Sequence, residues 1–299
     1  MIDTRMYHDI LLALQDLRAF MPDWFTSLML FFSSTPFYLL LPVALTVFVF
    51  TCVDKRSGEW MMLNISAAEY VGHFMKDLIA NPRPWVTDDR IIPEERALED
   101  AAGYSTPSGH TACAAAGLGT LIAVVRKRMM TAILLTMISL VMFSRLYLGV
   151  HTLLDVVSGA LLSVVVISIN WYLVKVSYSS ENRYVAVSAM IAIVAVAVTL
   201  AWMLITDDCD SMLKTGGFMV GTMAGRVIEH RGIGYEVRRT TVLKNMGRLT
   251  IGLLTAGALL TVPYLLFGSV IGSAVGGFLA SLGVFVITPI IIEAAGLNE

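Results

Sequence analysis

The sequence predicts an all-α fold: a polytopic membrane helix bundle with about nine transmembrane helices and an amphipathic helix at the N-terminus. Of the 299 residues, 57% are hydrophobic and only 15% are charged, whereas soluble domains carry about 25% charged residues. The mean hydropathy of +0.74 points the same way. Apolar runs close to the ~20 residues that a membrane-crossing helix needs recur along the chain.

Residues 1–20 mix charged and apolar residues at helical spacing. This pattern predicts an amphipathic helix at the membrane surface, although an ordinary packed helix would show the same pattern. The apolar segment 24–33 is too short to cross a bilayer alone. It is either a half-spanning piece before Pro36 or an extension of the first span.

The predicted spans are the apolar runs that approach the thickness of a bilayer. They are 36–53, 59–80, 109–126, 129–148, 152–174, 184–205, 211–228, 247–267 and 270–292.

The basic residues predict the orientation of these spans. If residue 54 faces the cytoplasm, the loops on that side are 54–58, 126–128, 175–183 and 226–248, and they hold most of the 21 lysines and arginines. The loop 85–102 is acidic and falls on the opposite side. The positive-inside rule therefore predicts that the acidic loop faces outside.

The composition excludes other classes of protein. The formal net charge of -2 gives no bulk attraction to nucleic acid, so we expect no nucleic-acid partner. The three cysteines show neither a disulfide framework nor metal-binding spacing. We expect no cofactor, no bound metal and no cleavable signal peptide.

With this topology, polar residues near the ends of separate spans gather at the outer face. They are Lys76, Arg83, Ser108, His110, Arg145, His151 and Asp155. Charged groups at such depth are costly unless they are paired, so they are functional candidates. Snorkelling or helix-end anchoring would explain one lysine or arginine, but it explains poorly a set gathered at one depth.

The first two motifs suit an anion. Lys76 and Arg83 provide two cations where prolines stop a helix, and the guanidinium fork matches phosphate oxygens. In P-S-G-H, Ser108 and the backbone N–H of Gly109 lie at the positive end of the next predicted helix. Gly109 allows close backbone approach, and His110 can give or take a proton.

The third motif pairs an imidazole with a carboxylate. His151 and Asp155 are four residues apart, so they share one face of a helix. Asp155 can fix the tautomer of His151 and so activate its other nitrogen. Arg145 adds a third cation. His110, His151 and Asp155 would also suit a metal ion, but three cations around them would repel a dication, so phosphate is favoured.

The motifs K-x-x-x-x-x-x-R-P, P-S-G-H and S-R-x-x-x-x-x-H-x-x-x-D, in this order, resemble the three signature motifs of the type 2 phosphatidic acid phosphatase superfamily. That superfamily includes bacterial lipid phosphatases, undecaprenyl pyrophosphate phosphatases, glucose-6-phosphatases and vanadium haloperoxidases. Every motif position is filled, and the resemblance covers roughly residues 5–175.

The resemblance implies a metal-independent phosphatase and a role for each residue. His151 would form a phosphohistidine, Asp155 would orient it, and His110 would protonate the leaving oxygen and then activate water. The residues that would hold the phosphate are Lys76, Arg83, Ser108, Gly109 and Arg145.

The expected substrate is a membrane lipid phosphate or a polyprenyl pyrophosphate that arrives through the bilayer. A sugar phosphate, as in glucose-6-phosphatases, is the alternative within the enzyme class. A transporter or scramblase that binds phosphate without hydrolysis is the alternative from another class, and the intact His151–Asp155 pair argues against it. Haloperoxidase chemistry with bound vanadate is disfavoured by the membrane setting.

The resemblance leaves the C-terminal third unexplained. The expected division is an N-terminal segment 1–35, a catalytic phosphatase bundle 36–180 and additional transmembrane helices 181–299. Two small-residue stripes favour close helix packing, either within the chain or in a homodimer. They are Gly217, Gly221 and Gly225, and Gly268, Gly272 and Gly276. We expect an integral protein of a bacterial cytoplasmic membrane, with its active site facing outside.

Overall fold

The computed structural model describes residues 4–206 and 209–299. Residues 1–3 of the predicted amphipathic helix lie outside the described residues. The described part of the chain consists of helices and their connections, and it contains no strand. The all-α fold class is therefore confirmed.

The α-helices follow one another along the chain, with the longest connections after α5 and after α10. They are α1 (Thr4–Phe20), α2 (Asp23–Ser33), α3 (Leu41–Phe48), α4 (Lys55–Ile79), α5 (Pro84–Thr87), α6 (Gly109–Val125), α7 (Arg128–Tyr147), α8 (Leu153–Ser177), α9 (Glu181–Met203), α10 (Asp210–Ile228), α11 (Val242–Phe267), α12 (Ser269–Phe285) and α13 (Ile287–Ala294). Short π-helical turns occur at Pro36–Leu40, Val49–Val53 and Glu229–Ile233.

Six helical segments are long and apolar enough to cross a membrane. They are Pro36–Val53, Arg128–Tyr147, Leu153–Ser177, Glu181–Met203, Val242–Phe267 and Ser269–Ala294. The other three predicted spans are helices too, but α6 is shorter, and α4 and α10 are more polar. An integral membrane protein is thus supported, while the count of nine spans stays a prediction.

The chain folds into two compact units. The first contains Met1–Pro42 and Val71–Ile167, and the second contains Val43–Tyr70 and Ser168–Glu299. In the first unit, Phe37 packs against Ala114 of α6 and Val141 of α7. This contact seats the π-helical turn at Pro36–Leu40 against both helices.

Helix α1 is held in the first unit by polar contacts with the loop after α5. The Gln15 side chain donates to the Arg90 carbonyl at 3.2 Å and accepts from the Ile92 N–H at 2.6 Å. Arg18 donates to the carbonyl of Tyr147 at 3.0 Å. A helix is therefore present where the sequence predicts one, but its placement at a membrane surface stays a prediction.

The small-residue stripes of the second unit pack within the chain. A Cβ atom on Gly221 of α10 would lie 2.2 Å from the Phe278 carbonyl oxygen of α12, and one on Gly276 would lie 2.6 Å from the Leu260 carbonyl oxygen of α11. Gly268 has φ +81° at the junction of α11 and α12, with nothing near its Cβ position. Because intrachain packing occupies these glycines, the predicted homodimer is not supported.

A buried charge pair joins α4 and α10 within the second unit. Arg226 Nε lies 3.1 Å from Glu59 Oε2, and neither side chain is exposed. The Tyr184 hydroxyl donates to the same oxygen at 2.7 Å. Removing one partner from such a pair leaves an uncompensated buried charge, so both partners are needed once either is present.

Replacing Gly221 with alanine should destabilise the second unit, because the new methyl group would collide with the backbone of α12. Overpacking of this kind costs about 1–3 kcal/mol. Thermal unfolding of the detergent-purified protein measures the loss. Gly257→Ala on α11 is the matched control, since nothing lies within 4 Å of its Cβ position. Equal melting temperatures for the two variants would contradict the close approach of α10 and α12.

Candidate active site

The predicted site residues lie at four helix ends in the first unit. Lys76 is in the last turn of α4, and Arg145 is in the last turn of α7. His110 is in the first turn of α6, and Asp155 is in the first turn of α8. Gly109 begins α6, and loops carry Arg83, Ser108 and His151, so the positive ends of two helix dipoles and several cations meet at one end of the unit.

The Asp155 carboxylate is fully buried and surrounded by donors. Its Oδ2 accepts from the Ser105 hydroxyl at 2.7 Å and from the Thr152 N–H at 2.6 Å. Its Oδ1 accepts from the Thr106 hydroxyl. His151 Nδ1 lies 3.6 Å from Oδ2. A charge held in this way is fixed in position, because each hydrogen bond offsets part of its desolvation.

Arg83 fixes the other side of the His151 ring. Its Nη1 donates to His151 Nε2 at 3.0 Å. The remaining donors bind the backbone carbonyls of Gly103 at 2.9 Å, Val150 at 3.0 Å and Ala102 at 2.8 Å. Because a guanidinium can only donate, Nε2 must carry a lone pair and Nδ1 must carry the proton that faces Asp155. This is the tautomer that a nucleophilic Nε2 requires.

The protonation states suit this arrangement. Burial lowers the pKa of His151 well below its usual value, and the charges of Arg83, Arg145 and Lys76 lower it further, against the opposing effect of Asp155. Burial also lowers the pKa of Arg83, to about 10. At neutral pH, His151 is therefore uncharged, whereas Arg83 keeps its positive charge.

Arg145 is fully buried and ties the end of α7 to two other segments. Its Nη1 donates to the Ser33 hydroxyl at the end of α2. Its Nη2 lies 3.3 Å from the Asp100 carbonyl oxygen. Arg83 and Arg145 therefore bind neighbouring carbonyls of the same loop, between α5 and α6.

Lys76 lies beside the start of α6, and Lys76, Ser108 and His110 are all buried. The Lys76 Nζ atom would lie 3.8 Å from a Cβ on Gly109, and no closer clash would occur there. Packing of the chain alone does not require glycine at this position, and the N–H groups in the first turn of a helix are the ones that can bind an anion. The Ser108 N–H donates to the Asp155 carbonyl at 2.9 Å, which links the start of α6 to α8.

His110 is almost fully buried and packs against an aromatic ring in a tilted arrangement. Its ring centroid lies 3.9 Å from that of Tyr38, with the planes inclined by 38°. Its Nε2 atom is buried and has no hydrogen-bond partner among the residues that the structure describes. A buried imidazole nitrogen of this kind can exchange a proton with a bound ligand.

The sequence reasoning missed several residues that hold the site together. Ser105 and Thr106 immediately precede the P-S-G-H motif, and Thr152 follows His151, so their polarity beside the motifs was an available signal. Asn81 donates to the Thr106 hydroxyl at 2.7 Å. Tyr38 lies far upstream of every motif, and no signal in the sequence indicated it.

Gly159 is a further missed residue, on α8. A Cβ atom there would lie 2.5 Å from the Ser108 carbonyl oxygen. Glycine at this position therefore allows α8 to approach the start of α6 closely enough for the link between Ser108 and Asp155.

The metal alternative gains no support from the geometry. Within residues 4–206 and 209–299, no three His, Cys, Asp or Glu side chains are arranged to hold a metal ion. His151 Nε2 also faces a guanidinium at 3.0 Å, which would repel a cation.

Comparison with known proteins identifies part of this chain. Residues 59–179 match the family described as the PAP2 superfamily. This range contains all eight predicted site residues, and it excludes Ser33 and Tyr38. No solved structure matches the chain.

Curated relatives match over similar regions. Lipid phosphate phosphatase delta of Arabidopsis thaliana is 29% identical over 147 residues, which are 46% of this chain and 34% of the relative. Sphingosine-1-phosphate phosphatase 2 of Homo sapiens is 32% identical over 108 residues, 34% of this chain and 26% of the relative. Undecaprenyl-diphosphatase of Sulfolobus acidocaldarius is 30% identical over 125 residues, 42% of this chain and 58% of the relative. The chain therefore spans less than two thirds of each of these relatives.

Replacing Arg83 with lysine should lower kcat/KM for a phosphate ester by about 10²-fold, the usual cost of losing one electrostatic donor. A lysine keeps the charge, but it cannot bind three carbonyls and His151 together. Phosphate release by the purified protein measures the effect. Arg90→Lys is the control in the same loop, because Arg90 is exposed and binds only the neighbouring Asp88. Equal activity of both variants would show that the Arg83 fork is dispensable.

Proposed function

We propose, from the premise that residues 59–179 form a PAP2 superfamily domain, that this protein is a membrane phosphatase that hydrolyses a lipid phosphate or a polyprenyl pyrophosphate. The observation that carries the proposal is the His151 imidazole, held between Asp155 and Arg83 with its Nε2 lone pair toward the Arg83 guanidinium. Binding alone needs the cations but needs no oriented imidazole, which disfavours a transporter.

In the first step, His151 Nε2 attacks the phosphorus of the bound ester. The bond between phosphorus and the leaving oxygen breaks, and His110 donates its proton to that oxygen. The product is a phosphohistidine, whose positive ring charge Asp155 stabilises. Arg83 Nη1 must exchange its bond to Nε2 for a phosphate oxygen, because the lone pair cannot accept from Arg83 and attack at the same time.

In the second step, a water molecule attacks the phosphorus of the phosphohistidine. His110 takes a proton from this water, the N–P bond breaks, and inorganic phosphate leaves. His151 regains its neutral form with the proton on Nδ1. Lys76, Arg145 and the N-terminus of α6, with Ser108 and Gly109, would offset the charge on the phosphoryl oxygens in both steps. No metal ion is needed in this scheme.

The names of the relatives and the apolar helices support a substrate with a lipid tail. Such a substrate diffuses within the bilayer and can reach helix ends without crossing water. The chemistry of the phosphate site is common to all these esters, so the tail and the surrounding loops would determine which substrate is used.

The purified protein should release phosphate from phosphatidic acid, sphingosine 1-phosphate or an isoprenyl pyrophosphate in the presence of EDTA, and more slowly from glucose 6-phosphate. His151→Ala should abolish release from every substrate. With p-nitrophenyl phosphate, whose leaving group needs no proton, His110→Ala should accumulate an acid-labile, base-stable phosphohistidine that mass spectrometry detects.

His8→Ala is the control for these histidine variants, because His8 contacts Asp88 and Thr87, away from His151. Loss of activity in EDTA with recovery on adding a divalent ion would overturn the metal-free scheme. Undiminished phosphate release by His151→Ala would overturn its role as nucleophile.

We also propose that the site faces the outside of the cell, as the distribution of basic residues indicates. Asp89, in the acidic loop, and Lys127, between α6 and α7, are both exposed. In a variant without its native cysteines, Asp89→Cys should react with a membrane-impermeant maleimide in intact cells. Lys127→Cys should react only after permeabilisation. The reverse pattern would place the site inside.

A further inference from the structure

The segment that joins α2 to α3 contributes side chains to the site, although it precedes the matched residues 59–179. Ser33, the last residue of α2, accepts a hydrogen bond from Arg145. Five residues later, the Tyr38 ring packs against His110 at 3.9 Å. Two different site residues therefore contact one short segment that no part of the family match covers.

The backbone of this segment explains how Tyr38 reaches His110. Residues Pro36–Leu40 form a π-helical turn, and turns of this kind re-aim side chains and are frequent at functional sites. Phe37 is buried against Ala114 and Val141. This anchor fixes the turn on α6 and α7, and the next residue then packs against the imidazole.

The contact leaves the reactive atom of His110 free to meet a ligand. Tyr38 covers one face of the ring, whereas Nε2 lies at the ring edge, buried and without a hydrogen-bond partner in the part of the chain that the structure describes. The ring contact restricts the tilt of the imidazole but does not use the hydrogen-bonding capacity of Nε2. An acid that must meet a leaving oxygen at about 3 Å depends on this kind of orientation.

We infer that Tyr38 is the positioning residue for the general acid His110, and that its aromatic ring fixes the imidazole plane so that Nε2 faces the leaving oxygen. This inference rests on the proposed phosphatase function. If Tyr38 acts through His110, its effect must depend on how much the leaving group needs a proton.

The test uses two soluble esters of similar shape that differ in this need. Benzyl phosphate releases an alkoxide that requires a proton, whereas p-nitrophenyl phosphate releases a stable aryl oxide. Because kcat/KM reports events up to departure of the leaving group, it isolates the step in which His110 acts as an acid.

Tyr38→Leu should lower kcat/KM for benzyl phosphate by about 10–10²-fold, within the usual contribution of a general acid. The value for p-nitrophenyl phosphate should stay within about threefold, because that leaving group departs without acid assistance. Tyr38→Phe keeps the ring and should resemble the unaltered protein with both esters. In a His110→Ala background, Tyr38→Leu should have little further effect, since the two residues act as one unit.

Each outcome decides between distinct possibilities. If the unaltered protein releases phosphate from neither these esters nor the lipid phosphates, the proposed function fails. If it hydrolyses both esters and Tyr38→Leu lowers both values equally, Tyr38 has only a structural role and the inference fails. If Tyr38→Phe loses as much as Tyr38→Leu, the hydroxyl acts rather than the ring, and the inference is again overturned.

Two further variants complete the test. One replaces Tyr38→Leu if that variant does not fold, and the other is a control for specificity. Tyr38→Met fills a similar volume without an aromatic face and replaces Tyr38→Leu if the latter does not fold. Tyr172→Leu removes a tyrosine that is 62% exposed on α8 and should leave both kcat/KM values unchanged. A leaving-group-selective loss in Tyr172→Leu would show that the pattern is not specific to Tyr38.

Discussion

The site depends on one buried carboxylate and the groups that compensate its charge. Asp155 has no contact with solvent, and without partners its ionised form would cost several kcal/mol. Ser105, Thr106 and Thr152 donate to it, and the Nδ1 side of His151 faces it. These contacts join the start of α8 to the loop before α6. They also set the tautomer of His151, and with it the position of the lone pair that Arg83 meets on the opposite side.

The structure brings the motif residues of the predicted site together, and the sequence indicated some of their contacts but not others. Motif spacing was sufficient for His151, Asp155 and Arg83, because residues near helix ends and their prolines define local geometry. Ser105 and Thr106 were missed because a hydroxyl beside a motif is also common in ordinary turns. Tyr38 could not be predicted. Its contact with His110 depends on the packing of Phe37 against α6 and α7, which lie far from Phe37 in the sequence.

The membrane helices show a different limit. Six of the nine predicted spans are long and apolar enough to cross a membrane, whereas α4 and α10 carry buried polar residues that lower their hydropathy, so their place as spans stays a prediction. Glu59 and Arg226 on these helices compensate each other. The glycine stripes were ambiguous for a related reason. A small residue indicates that some backbone approaches closely, but only tertiary structure shows that the approaching helix belongs to the same chain.

Backbone carbonyls anchor one part of the loop between α5 and α6, while Ser105 and Thr106 bind Asp155 through their side chains. Arg83 and Arg145 bind the carbonyl oxygens of Asp100, Ala102 and Gly103. Every amino acid has the same backbone carbonyl oxygen, so these hydrogen bonds do not depend on which residues occupy the loop positions. The loop can exchange its outward side chains over evolutionary time while the two guanidinium groups keep their places. Loop residues that recognise head groups or tails can therefore diverge while the residues that carry out the reaction stay in place.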